Sequence, residues 1–196
     1  MKVLIVCLTM CVLAAAIPAA ANTYERAPTP VNLWDLDHTT YVVWGINWTP
    51  DQPGEVIMSA SIEFDDIYNW VANEPGNIMY VHLLDSAAPG VVYHYDNRPG
   101  DQFDGLGPLL GTYTDNDGPI TTEDKSFDVL PQDFSLLSDG NFGFGIDPDC
   151  HFFNCGVKVR IETRMGEQYV PEPASLGALC CGLTGMMGFV RRRRKS

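Results

Sequence analysis

The sequence predicts an all-β domain, an antiparallel β-sandwich of jelly-roll-like design. Three observations carry this. About eight short segments alternate apolar and polar residues or are rich in β-branched and aromatic ones. The connections between them are dense in Gly, Pro, Asn and Asp, the residues that suit tight turns. No long stretch carries the period of an amphipathic helix, and there is no internal repeat. Short strands joined in this way favour two packed antiparallel sheets.

The elements follow in order. Residues 22–31 hold Pro28 and Pro30 and read as an extended lead-in. Residues 40–46 are the first strand. Residues 55–64 are the clearest: Val56, Met58, Ala60, Ile62 and Phe64 face one way, with Glu55, Ser59, Ser61 and Glu63 opposite and Ile57 the exception. Residues 65–72 have the composition for a turn or two of helix. Strands are then expected at 78–84, 91–95, 109–113, 126–130 and 141–146. Val157, Val159 and Ile161, set against Lys158, Arg160 and Glu162, close the series. Trp44, Trp48, Phe64 and Trp70 are expected to supply bulk between the sheets.

The two ends differ from this middle. Residues 1–21 read as a signal peptide: Lys2 precedes an apolar run over 3–17, and Ala19-Ala20-Ala21 offers the small side chains that signal peptidase accepts. Cleavage is expected before Asn22. At the other end, residues 174–190 carry no charge and, as a helix, would span roughly 26 Å, just short of a typical hydrocarbon core, and read as a short transmembrane helix. Arg191, Arg192, Arg193, Arg194 and Lys195 follow as a basic cytoplasmic cap, which orients residues 22–170 outward. Gly177, Gly182, Gly185 and Gly188 suit close packing of that span against another membrane helix. Pro171, Glu172 and Pro173 stand before it in an extended, protease-readable segment.

This ordered set over residues 171–196 resembles the PEP-CTERM protein-sorting tail of Gram-negative bacteria. The resemblance implies recognition by exosortase, a membrane-embedded protease, removal of the tail, and delivery to the cell surface or extracellular polysaccharide matrix. The middle of the chain also resembles PEP-CTERM ectodomains, at Trp44-Gly45-Ile46, His82-Leu83-Leu84-Asp85, residues 141–151 and the Gly-Asp-x-Phe at Asp101. That likeness implies no particular activity. The domain plan is thus 1–21 signal peptide, 22–170 exported domain and 171–196 sorting tail.

Charge narrows the partners. The whole chain stands at −13, but residues 22–170 hold 6 basic and 24 acidic residues, net −18. Such a domain repels nucleic acid and other polyanions and attracts cations. Cys150 and Cys155 are the cysteines of the exported part, and an oxidising compartment makes a disulfide the default reading. The alternative is a metal site of Cys150, Cys155 and His151. Oxygen ligands for calcium are offered by Asp115-Asn116-Asp117-Gly118, by Asp147 and Asp149 with His151, and by Asp101 and Asp104. None completes an EF-hand, and the same residues are ordinary turn formers.

Catalytic signatures are lacking. There is no G-x-S-x-G, H-E-x-x-H or P-loop, and His38, His82, His94 and His151 have no evident Ser or Cys partner. An acidic pair of glycosidase type remains open. Trp34, Tyr93, Tyr95 and Tyr113 are candidates for a sugar-stacking platform. The expected role is a structural or adhesive surface protein. Its rivals are a calcium-dependent carbohydrate-binding module and a secreted hydrolase.

Overall fold

The computed structural model describes residues 21–71, 76–96 and 98–166. The expected signal peptide, but for Ala21, and the expected sorting motif, apolar span and basic cap lie outside the described residues. Among the described residues no helix is long and apolar enough to cross a membrane.

The fold is all-β and antiparallel. Ten strands run β1 Ala21–Arg26, β2 Thr40–Asn47, β3 Glu55–Asn69, β4 Met79–Leu84, β5 Gly90–Tyr95, β6 Leu109–Tyr113, β7 Glu123–Asp128, β8 Asn141–Pro148, β9 Phe152–Phe153 and β10 Gly156–Met165. A short 3-10 turn at Pro131–Asp133 leads into one α-helix, α1, Phe134–Ser138. One sheet has the order β1-β10-β3-β7, with β9 paired to β3; the other has the order β5-β2-β8-β4-β6.

Period-2 alternation puts one face of each sheet into a shared core. Val42, Trp44 and Ile46 of β2, Met79, Val81 and Leu83 of β4, and Phe142, Phe144 and Ile146 of β8 line it from the second sheet. Ala60, Ile62 and Phe64 of β3, with Val157, Val159 and Ile161 of β10, line it from the first. Each Val, Leu, Ile, Phe or Met among them contributes about 1.5–3 kcal/mol by burial. Leu137 of α1 adds to the same core.

All eight expected strands are present, and several local expectations need correction. The lead-in is the paired strand β1, with Tyr24 opposite Ile161 and Glu25 opposite Arg160. Residues 65–69 continue β3 with no helical turn. A bulge between Phe64 and Ile67, with Asp66 at φ 48°, returns Ile67 to the core. Val56 and Met58 are exposed, while Ile57 packs on the core, so the alternation is regular only from Ala60 onward. Trp70 lies half exposed beyond the end of β3, outside the inter-sheet core.

Candidate functional site

The other face of the second sheet bears the chemistry. On β8, Gly143, Gly145 and Asp147 alternate with the core residues; on β4, Tyr80 and His82 do so. The connection from β5 to β6 folds back over this face. Two local turns shape it: Asp96 Oδ1 accepts from the Arg98 N–H at 2.9 Å, and Asp101 Oδ1 accepts from the Phe103 N–H at 2.9 Å. Phe103 is driven onto the sheet, edge-on to Tyr41 and tilted against His82. His82, nearly buried, ties the loop down. Its Nε2 lies 2.8 Å from Asp101 Oδ2 and its Nδ1 lies 3.2 Å from the Gly107 carbonyl.

Three carboxylates meet backbone N–H groups under this loop. Asp147 is fully buried at the end of β8, opposite Tyr80, and its Oδ2 accepts from the Gln102 N–H at 2.7 Å. Asp149 accepts the Gly100 N–H on both oxygens, at 3.0 and 2.9 Å. Asp96 Oδ1 accepts from Gln102 Nε2 at 2.9 Å, so Gln102 bridges Asp96 and Asp147. The other oxygens, Asp96 Oδ2 and Asp147 Oδ1, are buried with no hydrogen-bond partner among the described residues.

Electrostatics follow from that crowding. Burial, reinforced by Asp96, Asp149 and Asp101, pushes the Asp147 carboxyl up to about 7, against the lowering pull of the Gln102 N–H. Burial, reinforced by Asp149, Asp101 and Asp147, pushes the Tyr80 hydroxyl up. A buried carboxylate oxygen without a donor is costly, and a cation relieves both the missing contact and the repulsion. Calcium takes six to eight oxygens in flexible geometry, drawing on carbonyls and water besides carboxylates. Asp96 and Asp147 each offer one spare oxygen, and Asp149 and Asp101 add charge, but among the described residues the three-ligand cluster within 4.8 Å is Asp37, His38 and His151, not these carboxylates.

The other expected site residues fall elsewhere. Asp115 is buried, with Oδ1 accepting the Asp117 and Gly118 N–H groups at 2.8 and 3.2 Å and Oδ2 accepting the Asn69 N–H at 2.8 Å. It closes a turn and anchors β3, while Asp117 faces solvent. Asp104 is exposed and takes no part in the cluster. No Cys150–Cys155 disulfide is formed. Cys150 is buried, with Asn69 Nδ2 donating to its Sγ at 3.3 Å, whereas Cys155 is exposed beside Asp65 and Asp66, so the two side chains serve different environments. His151 joins neither cysteine; its Nδ1 lies 2.9 Å from Asp37 Oδ2.

Among the aromatics, Trp34 and Tyr95 are well exposed and Tyr93 is partly so, but Tyr113 is buried, donating its hydroxyl to the Ile67 carbonyl at 3.2 Å. A different aromatic pair borders the acidic loop. Tyr41 and His94 stack with centroids 4.8 Å apart along a cleft of about 350 Å³ that Phe103, Asp85 and Ser86 also line. Asp96, Gln102 and Tyr41 are site residues that sequence patterning missed, and His82 was weighed there only as a histidine without a Ser or Cys partner. The signals that could have found this face are the Gly-Asp-x-Phe at Asp101 and the alternation of Gly143, Gly145 and Asp147 with core residues.

No protein-family model matches the chain, and no curated protein matches it in sequence.

Proposed function

We propose that the chain is an exported cell-surface or matrix protein whose β-sandwich is a calcium-ordered module for binding extracellular polysaccharide. The unpartnered, buried oxygens of Asp96 and Asp147, in a domain of net −18, are the observation that carries it. Calcium bound there would lock the loop that holds Phe103, and Phe103 walls the cleft beside the Tyr41–His94 stack. Aromatic faces fit the CH faces of sugars, and Asp85 and Ser86 offer hydroxyl partners. The sorting-tail resemblance supports export, exosortase processing near Pro171-Glu172-Pro173 and a structural or adhesive role in a biofilm layer.

A hydrolase reading is less favoured. Asp147 has the raised carboxyl a general acid needs, but it is buried beneath Gln102, where no substrate oxygen reaches it.

Calcium calorimetry with a thermal-shift series tests the module. Affinity near 10⁻⁴ M, on the order seen for extracellular modules, is expected, with loss in Asp96→Asn and Asp147→Asn. No heat and no shift would remove the calcium claim. A glycan array run with calcium and with chelator tests sugar binding. Intact mass of the protein from its native host tests processing; an uncut C-terminus in cells with active exosortase would sink it.

A further inference from the structure

A second cluster adjoins the acidic loop, where the Asp96 N–H donates to the Thr39 carbonyl at 2.7 Å, and has different chemistry. Asp37, His38 and His151 bring three metal-ligating atoms within 4.8 Å of one another. Asp37 Oδ2 lies 2.9 Å from His151 Nδ1, and Asp37 Oδ1 lies 3.5 Å from His38 Nδ1. The two imidazoles meet edge to face with centroids 4.6 Å apart. One carboxylate therefore faces a ring nitrogen of each histidine, the donor set of a two-histidine, one-carboxylate site.

The backbone beneath is held firmly. Leu36 and Phe152, both buried, exchange two backbone hydrogen bonds: Leu36 N–H to Phe152 O at 3.0 Å and Phe152 N–H to Leu36 O at 2.8 Å. This bridge fixes Asp37-His38 on one side and His151 on the other, although they are far apart in sequence. Asp37 is oriented further by the Thr39 N–H, which donates to Oδ1 at 2.8 Å. That contact and the neighbouring histidines hold its carboxyl below the ordinary range, against a desolvation effect that is the largest single influence and acts upward. Metal ligands are commonly oriented by such outer hydrogen bonds.

We propose that Asp37, His38 and His151 bind a divalent transition-metal ion of the zinc type. Imidazole and carboxylate together suit zinc, copper and nickel better than calcium, so the site is chemically distinct from the acidic loop. Three protein ligands leave a fourth position, and His38 is half exposed, so water or an external donor completes the shell. The indole of Trp70 lies 5.9 Å from the His151 ring and its backbone N–H donates to the His151 carbonyl at 3.0 Å, which makes it a built-in reporter.

The test uses the untagged full chain. Zinc calorimetry, visible absorption of the cobalt form and quenching of tryptophan fluorescence by copper should each show one saturable site. His38→Ala and His151→Ala should weaken binding by more than about tenfold, with near-ultraviolet dichroism checking the fold, while Asp104→Asn, at an exposed residue outside both clusters, leaves it unchanged. On the unsubstituted protein, zinc should protect His38 and His151 from diethylpyrocarbonate, mapped by peptide mass. Absence of saturable binding, equal binding in both histidine variants, or no protection would overturn the assignment.

Discussion

The ring of Phe103 lies against the backbone of Gly145, so closely that a Cβ added there would sit 2.7 Å from it. Gly145 is on the outer face of β8, between core residues Phe144 and Ile146. The absent side chain is what lets the loop carrying Asp96, Asp101 and Gln102 settle on the sheet.

Gly145→Ala should therefore lift Phe103 and the loop with it. Overpacking of this kind costs about 1–3 kcal/mol, read as a lower urea midpoint with unchanged slope. Calcium response should weaken in parallel, although no proposed ligand is altered. Phe103→Ala, which empties the same contact, should cost about 3–5 kcal/mol.

Asp147 makes stability depend on pH in a definite direction. Its ordinary value is 3.8 and its folded value is about 7. Between those limits the folded protein keeps a proton that the unfolded chain has released, so the Asp147 contribution to stability is greatest below about pH 4 and falls as pH rises to about 7. In chelator, Asp147→Asn should abolish that part of the slope and raise the melting temperature at pH 7 above that of the parent. Added calcium should reverse the order, stabilising the parent and not the variant. Differential scanning calorimetry across pH 4–8 checks both signs.

Asp115 should behave as a structural acceptor. It takes three backbone N–H groups, from Asn69, Asp117 and Gly118. Asp115→Ala leaves them without their acceptor and should destabilise by about 2–4 kcal/mol. Calorimetry on the folded variant should give the parental calcium affinity. A lost calcium signal would place a ligand at this turn instead.

The cysteines should label unequally. Cys155 is exposed, and desolvation with the charges of Asp66 and Asp65 pushes its thiol up. Iodoacetamide should modify it in the native protein, faster as pH rises above 8, while Cys150 reacts only on unfolding. Reductant should leave the melting temperature unchanged, because no bond between the two is there to break.

Strand positions were readable because alternation is local: the β3, β8 and β10 patterns follow from the two-residue period of an extended chain beside a core. β1 was not, since Asn-Thr-Tyr-Glu-Arg has no apolar alternation of its own and becomes a strand by pairing with β10. Helix α1 is five residues long, too short to show a period. Asp147 and Asp149 were visible as acidic residues near a turn, but not their neighbours.

The sequence by itself determined the all-β class, the acidity of the middle segment and the expectation of export from its ends. Each depends on composition or on residues adjacent in the chain. Tertiary structure alone decided that Gln102 joins Asp96 to Asp147, that Asp115 serves a turn, and that His151 meets Asp37 and His38 in place of a cysteine. Those partners lie up to 114 positions apart. Only the folding of loops over the outer sheet face and the Leu36–Phe152 bridge brings them within hydrogen-bonding reach.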